Sequence, residues 1–202
     1  MNETLTNSLR REQRETEVLE AALALFAEYG FKKASVEDIA LRLGMTAAAL
    51  YRYATDKRDL YRKAVARAFR LWQEAVARAI ADEAEPVARF RTACRRAFLY
   101  LAEEPRLRRI LAADPGLFPL FEADDPFSDI NQSSVDLLES LIKEGVEAGV
   151  FSGRGEERAA ARVIFSLYVL FIQKAYVAGE EGETALFEKG LDLVLDGLVV
   201  RH

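Results

Sequence analysis

Residues 35–60 read SVEDIALRLGMTAAALYRYATDKRDL, and this stretch decides the fold of the N-terminal part of the chain. Ser35 can cap a helix, and the apolar residues that follow share one face by their i, i+3, i+4 and i+7 spacing: Val36, Ile39, Ala40 and Leu43. Gly44 allows the positive φ that ends a helix sharply, and Thr46 can cap the next helix. The pattern predicts a helix-turn-helix, whose second helix enters the major groove of DNA.

The stretch and the helix before it resemble the TetR family of bacterial transcription regulators. The resemblance covers residues 18–57 and is carried by the helix end AxxLFxxxG at 22–30, by SVEDIA, by the LYRY core and by Lys57. Ala48 stands where the family often has Gly, and Ala54 where it often has Phe. The order of these motifs makes the resemblance specific to the N-terminal region.

The resemblance implies a recognition helix from about Thr46 to Ala54 and a set of DNA contacts around it. The residues implied to contact DNA are Ser35, Val36, Thr46, Ala47, Ala48, Tyr51, Arg52, Tyr53 and Lys57. Arg52 is the long cation of the recognition helix and can bond guanine O6 and N7 in bidentate fashion. We expect the two tyrosines to bond phosphates, as the lysine does in the family.

Tyr51, Arg52 and a basic segment on the first helix each have an alternative to DNA contact. Tyr51 can be a core residue, and Arg52 can pair with Asp56 four residues on. A basic segment containing Arg10, Arg11 and Arg14 can follow the DNA backbone or minor groove, or can be a solvated run of charge. The alanines at 47–49 read little by hydrogen bonding, so specificity is expected to depend on Arg52 and on DNA shape.

The composition is that of a globular protein with no targeting or membrane segment. Of 202 residues, 50% are hydrophobic and 30% charged. The longest apolar run, VIFSLYVLFI at 163–172, is shorter than the ~18 residues of a membrane span, and the N-terminus lacks the apolar core of a signal peptide. The single cysteine, Cys94, excludes an internal disulfide. We therefore expect a cytoplasmic protein.

The net charge of −5 is unevenly distributed along the chain. Residues 1–67 carry 12 Lys and Arg against 10 Asp and Glu, whereas the remainder carries 16 against 23. A modestly basic head therefore precedes an acidic body, and the local field of the head is what matters for phosphate binding.

The whole chain is predicted to be all-α, with a three-helix DNA-binding head and a body of about six helices. The predicted domains are a flexible arm at 1–11, a helix-turn-helix domain at 12–56, and a ligand-binding and dimerisation domain at 57–202. Helical periodicity places helices at about 12–29, 57–84, from Pro86 onward, 127–148, 155–178 and 183–200. A proline-rich segment at 114–126 interrupts the body.

The family resemblance implies a small-molecule cavity in the body and no cofactor. The aromatic and thiol side chains proposed to line it are Trp72, Phe90, Cys94, Phe98, Phe118, Phe121, Phe165 and Tyr168. Such stripes at helical spacing are also typical of a packed core. If a cavity exists, its effector is expected to be mostly hydrophobic, and the prolines at 115–126 either shape its entrance or turn the chain.

The last two helices are apolar over more than one face, which predicts that they are buried against another chain. The resemblance implies a four-helix homodimer interface, with Val163, Leu167, Leu170, Phe171, Leu191, Val194, Leu195 and Leu198 as its residues. Two-fold symmetry would then present two reading helices to a near-palindromic operator in double-stranded DNA.

Enzyme chemistry is not expected from this sequence. The one histidine is the C-terminal His202, and no CxxC, HExxH or glycine-rich phosphate loop is present. An acidic cluster, Glu122, Asp124, Asp125 and Asp129, lacks the spacing of an EF-hand, so no metal site is predicted. The alternative function is a helical interaction module that has lost sequence-specific DNA binding. We expect a ligand-controlled repressor.

Overall fold

The all-α architecture is confirmed in a computed structural model that describes residues 2–114, 117, 127–153 and 155–200, with side chains from residue 7 onward. This part of the chain forms nine α-helices: α1 Asn2–Lys33, α2 Val36–Arg42, α3 Ala47–Leu50, α4 Lys57–Ala79, α5 Pro86–Glu103, α6 Pro105–Ala113, α7 Ser128–Glu147, α8 Glu157–Ile172 and α9 Glu183–Leu198. A π-helical turn, Gln173–Ala178, extends α8, and one antiparallel bridge joins Phe151 to Val199.

Several predicted features lie outside the described residues. They are the aromatic residues Phe118 and Phe121, the acidic residues Glu122, Asp124 and Asp125, most of the proline-rich segment, and His202.

The chain divides into two compact units, Met1–Ala68 and Phe69–His202, with the division inside α4. The first unit contains α1, α2, α3 and the first half of α4. Its core is formed by side chains that are almost fully buried: Val18, Leu25, Phe26, Ile39, Leu50 and Leu60. Phe26 meets the ring of Tyr61 edge-on at 5.0 Å, which fixes α1 against the start of α4.

Helix α1 begins earlier than predicted, but it breaks directly after its predicted end at about residue 29. Residues 2–11, predicted as a flexible arm, form the first turns of this helix, since no Gly or Pro interrupts them and Ser8 Oγ donates to Glu12 one turn on. At the other end, the helix is broken at Gly30, whose φ of 75° and ψ of 162° suit a residue without a Cβ. A short helical turn then continues to Lys33.

The second unit is a helical bundle in which α7 packs against α5 and α8, and α5 also packs against α6 and α9. Phe90, Phe98 and Leu101 of α5 are fully buried at its centre. At the end of α7, a Cβ on Gly145 would lie 2.0 Å from the ring of Phe151, so this glycine permits the ring to pack.

One apolar surface of the second unit is left uncovered by its own chain. Among the described residues of this unit, the exposed large apolar side chains all lie on α8 and α9: Val163, Leu167, Leu170, Leu186 and Leu193. By length and composition, the helical stretch 157–178 would also suffice to cross a bilayer, and only 17% of its apolar window is buried. The exposed face explains that composition without a membrane, because a partner helix can cover it.

Candidate DNA-binding surface and ligand cavity

The helix-turn-helix is built by the capping interactions that the sequence predicted. Ser35 Oγ accepts from the Asp38 amide at 3.0 Å, and Thr46 Oγ1 accepts from the Ala49 amide at 3.2 Å. Between the helices, Gly44 adopts a φ of 61°. Both predicted N-caps and the turn glycine are therefore confirmed.

The recognition helix is shorter than predicted. Its α-helical part is Ala47–Leu50, and the next residues form tighter turns in which the amides of Arg52 and Tyr53 bond carbonyls three residues back. The start of α4 is capped just beyond, where Asp56 Oδ1 accepts the Asp59 amide and Asp59 Oδ2 accepts the Thr55 amide, both at 2.8 Å. The predicted extent, Thr46 to Ala54, is wrong at its C-terminal end.

The side chains predicted to contact DNA divide by exposure. Tyr51 is 47% exposed and Arg52 is exposed, so the alternative of Tyr51 as a core residue is wrong. Thr46 and Ala48 are also exposed, while Ser35, Ala47 and Tyr53 are half-buried. The Val36 side chain is 4% exposed and packs in the core of the unit, so the contact predicted for this residue would come from its backbone N–H at the start of α2.

The cations of this surface are held in place by backbone carbonyls. Arg52 Nε donates to the Ala49 carbonyl at 3.3 Å, and among the described residues no ion pair joins Arg52 to Asp56. Lys57 Nζ donates to the Lys32 carbonyl at 3.2 Å and lies 4.8 Å from the Phe31 ring centroid. These contacts fix the charges at the surface while leaving donors available to a phosphate.

Arg14 has a structural role in the first unit. Its Nη2 donates to the Leu43 carbonyl at 2.9 Å, and its Nη1 pairs with Glu17 at 2.5 Å. The first bond satisfies a carbonyl at the end of α2, immediately before the turn. Arg10 and Arg11 are exposed on α1.

A cavity of about 400 Å³ lies in the second unit. It is bounded by the second half of α4 and by α5, α7, α8 and α9. Its apolar walls include Phe69, Trp72, Val76, Cys94, Ile130, Leu137, Leu138, Ile164, Phe165, Leu167, Tyr168, Phe171, Phe187, Leu191 and Val194. The size and character are those of a site for a small apolar ligand.

Of the side chains proposed to line a cavity, four do so: Trp72, Cys94, Phe165 and Tyr168. Phe90 and Phe98 do not. Phe90 packs edge-on against Phe151 at 6.0 Å, and Phe98 stacks on Phe187 at 4.1 Å. Both are core residues, so their proposed ligand contacts are wrong.

Polar groups on the cavity wall were missed by the sequence analysis. They are Gln73 and Glu74 of α4 and Asn131, Ser133 and Ser134 of α7. The available signal was the polar pair Gln73 and Glu74, which directly follows Trp72 in α4. The rings of Trp72 and Tyr168 are oriented by their polar ends, because Nε1 and the hydroxyl both donate to the Ala97 carbonyl, at 2.8 and 3.0 Å.

Cys94 is expected to be chemically inert in the folded protein. Burial raises the pKa of its thiol to about 12, which lowers the thiolate fraction at pH 8 by about a thousandfold relative to an ordinary thiol. We expect a thiol-specific reagent to label the folded protein at least a hundredfold more slowly than the same protein in urea. Equal rates in the two states would show that the thiol is accessible and ionised.

The residues proposed for the dimer interface also divide by exposure. Val163, Leu167 and Leu170 are exposed on α8, whereas Leu191 and Leu195 are buried within their own subunit. The interface proposal is therefore wrong for those two residues of α9. Phe171, Val194 and Leu198 are half-buried. The exposed apolar residues of α9 are instead Leu186 and Leu193.

The comparison with protein-family models matches the N-terminal helix-turn-helix part of the chain. Residues 18–64 match the family model of the bacterial regulatory proteins of the tetR family. No curated protein sequence matches the chain.

Three solved structures show the fold of the whole chain. FadR, the fatty acid degradation regulator from Bacillus halodurans, is 20% identical, with 90% of this chain and 94% of that chain covered and a TM-score of 0.74. FadR from Bacillus subtilis, in complex with stearoyl-CoA, is 19% identical, with 90% and 98% covered and a TM-score of 0.72. A TetR-family regulator from Pectobacterium atrosepticum is 24% identical, with 96% and 97% covered and a TM-score of 0.74. The helix-turn-helix segment therefore matches the tetR family of bacterial regulatory proteins, and the chain shares the fold of these three structures.

Proposed function

We propose that the protein is a cytoplasmic, homodimeric repressor that binds a near-palindromic operator and releases it when a small hydrophobic effector occupies the body. The observation that carries the DNA-binding part is the exposed surface around the turn, where Tyr51 and Arg52 project from a capped helix-turn-helix. Arg52 would read a base, while Tyr51, Tyr53 and Lys57 would position the helix on phosphates.

Lys57→Ala is expected to weaken binding to every duplex, because the lysine contacts phosphate and not a base. The slope of log affinity against log salt should become shallower by about 1 for each protomer. The measurement is an affinity titration at several salt concentrations with operator and shuffled DNA. Lys143→Ala, which removes the same charge from α7, is the matched control and should change nothing. An unchanged salt slope for Lys57→Ala would remove this lysine from the interface.

Arg52→Ala is expected to relax the preference at one operator position in each half-site. The loss of a bidentate contact to guanine corresponds to about 1–3 kcal/mol of discrimination at that base pair. Competition with singly substituted operators measures it. Arg158→Ala, on α8, is the matched control. If the variant loses affinity equally for all sequences, Arg52 contacts phosphate instead of a base.

The homodimer is supported by the uncovered apolar side chains of α8 and α9. On α9, Leu186, Leu193 and Gly197 lie at i, i+7 and i+11, which places them on one stripe. Gly197 has no neighbouring atom within 4 Å of its Cβ position, so a helix from a second copy can approach closely there. We infer that these residues, with Val163, Leu167 and Leu170, form the interface.

The effector site is supported by the apolar cavity and by the place of α4 in the chain. This single helix begins with Lys57 and also contributes Trp72 and Gln73 to the cavity wall. A ligand that binds more tightly to a different position of α4 would therefore shift the population away from the DNA-binding state. The free energy of that shift cannot exceed the difference in the ligand's binding free energy for the two states. FadR from Bacillus subtilis holds stearoyl-CoA, so a structure of this fold accommodates an acyl compound.

An electrophoretic shift assay tests the proposal against its alternatives. We expect the folded protein to shift DNA from upstream of its own coding region but not a shuffled duplex of equal length. A helical interaction module would shift neither. An equal shift of both duplexes would indicate binding without sequence preference, which contradicts the proposed regulator.

A further inference from the structure

Three polar side chains of the cavity wall, Gln73, Ser133 and Ser134, have their hydrogen-bond donors already in use. Gln73 Nε2 donates to the Ile130 carbonyl at 2.6 Å and to Ser134 Oγ at 2.9 Å. The hydroxyls of Ser133 and Ser134 donate to backbone carbonyls one turn back in α7, at 2.9 and 3.3 Å. These bonds join α4 to α7 and fix the Gln73 amide, because the Ile130 carbonyl can only accept and therefore requires the amide nitrogen on its side.

The fixed amide leaves its oxygen as an acceptor. Among the described residues, none donates a hydrogen bond to Gln73 Oε1. This oxygen is also not one of the polar atoms that are fully buried without a partner, so part of its surface is exposed. The oxygen is therefore accessible, on a side chain that lines the cavity. An accessible amide oxygen in an apolar cavity favours a ligand that brings a donor, since leaving it unpaired upon burial costs about 1–3 kcal/mol.

The charge of the cavity wall disfavours an anionic head group beside Gln73. The described residues that line the cavity include no Lys, Arg or His, and the one charged member is Glu74. The aromatic donors do not compensate, because Trp72 and Tyr168 both donate to the Ala97 carbonyl. A carboxylate here would be desolvated without a cation and would lie near another carboxylate.

We propose that the effector is a neutral aliphatic alcohol, whose hydroxyl donates to Gln73 Oε1 and whose chain lies against Trp72, Phe165 and Tyr168. This rests on the proposed function of the cavity as the effector site and specifies the chemistry of the ligand. It separates this protein from a regulator that is controlled by a fatty acid anion or by an acyl-CoA.

The fluorescence of Trp72 gives a direct test, because it is the single tryptophan of the chain and lines the cavity. The probes are 1-decanol, its methyl ether and decanoate, titrated separately at pH 8 into the full-length protein. The ether keeps the chain and an acceptor but lacks the donor, and decanoate carries the anion. We expect 1-decanol to bind at least about tenfold more tightly than either.

Gln73→Leu removes the acceptor at nearly constant volume and should reduce the affinity for 1-decanol to that for the ether. The matched control is Gln132→Leu, an exposed position of α7 outside the cavity wall, which should leave all three affinities unchanged. The wild-type comparison of the three probes stands without any variant, so a folding defect of Gln73→Leu does not affect it.

Two results would overturn the inference in distinguishable ways. Equal affinities for the three probes, or tightest binding of decanoate, would reject the alcohol while leaving the cavity as an apolar effector site. Binding of none of them would reject the alcohol together with the proposed hydrophobic effector.

Discussion

Leu170→Asp is expected to convert the dimer into monomers and to lower the affinity for operator DNA by a factor of 10² to 10⁴. Leu170 is 46% exposed on α8, in the middle of the uncovered apolar surface, and it does not line the cavity. In the proposed dimer, two carboxylates would be buried near the two-fold axis without partners. A monomer contacts only one half-site. In the dimer, the first contact holds the second protomer at high effective concentration near the other half-site, which accounts for the expected loss of affinity of about 10² to 10⁴.

Sedimentation and DNA titration of the same preparations measure both effects. Gln132→Asp is the matched control, since it introduces the same charge on an exposed position of α7 outside the surface of α8 and α9. A Leu170→Asp protein that stays dimeric would place the interface elsewhere. A monomer with full operator affinity would contradict the two-fold reading of the operator.

Phe98→Ala is expected to destabilise the folded protein by about 3–5 kcal/mol. The Phe98 side chain is fully buried, stacks on Phe187 with an interplanar angle of 6°, and lies 5.4 Å from the ring of Tyr176. Its removal leaves a void between α5, α9 and the π-helical turn that these rings cannot fill without moving. Urea unfolding, with the change in midpoint at constant slope, gives the value.

Phe165→Ala is the matched comparison, because the same truncation is made at a half-buried residue that lines the cavity. It should cost clearly less stability, since one side of the Phe165 ring already faces an existing void, and it should change the affinity for apolar probes. Equal losses of stability for the two variants would contradict the division between core and cavity residues.

The parts of the fold that were predictable are those set by local chemistry. The caps at Ser35 and Thr46 and the positive φ at Gly44 depend on residues within one or two turns, so the pattern SVEDIALRLGMT is sufficient for them. The starts of α4 at Lys57 and of α5 at Pro86 follow in the same way from local sequence, but α4 ends at Ala79, five residues before its predicted end at about residue 84.

The parts that were not predictable depend on contacts between distant segments. Phe90, Phe98 and Cys94 share one apolar stripe of α5, but only packing against α7, α8 and α9 decides that Cys94 faces the cavity and the two rings face the core. Likewise, α9 is apolar on several faces, and periodicity alone could not show that Leu191 points into the subunit and Leu193 into solvent. The recognition helix ends at Leu50, a few residues before the capped start of α4 at Asp56 and Asp59.

Selection of bound duplexes from a random DNA pool, at two salt concentrations, tests the central claim most directly. The proposed regulator predicts enrichment of an inverted repeat whose half-sites lie about one helical turn apart, with binding that weakens steeply as salt rises. Failure to enrich any sequence, with protein that is folded and dimeric, would contradict sequence-specific regulation and favour a helical interaction module.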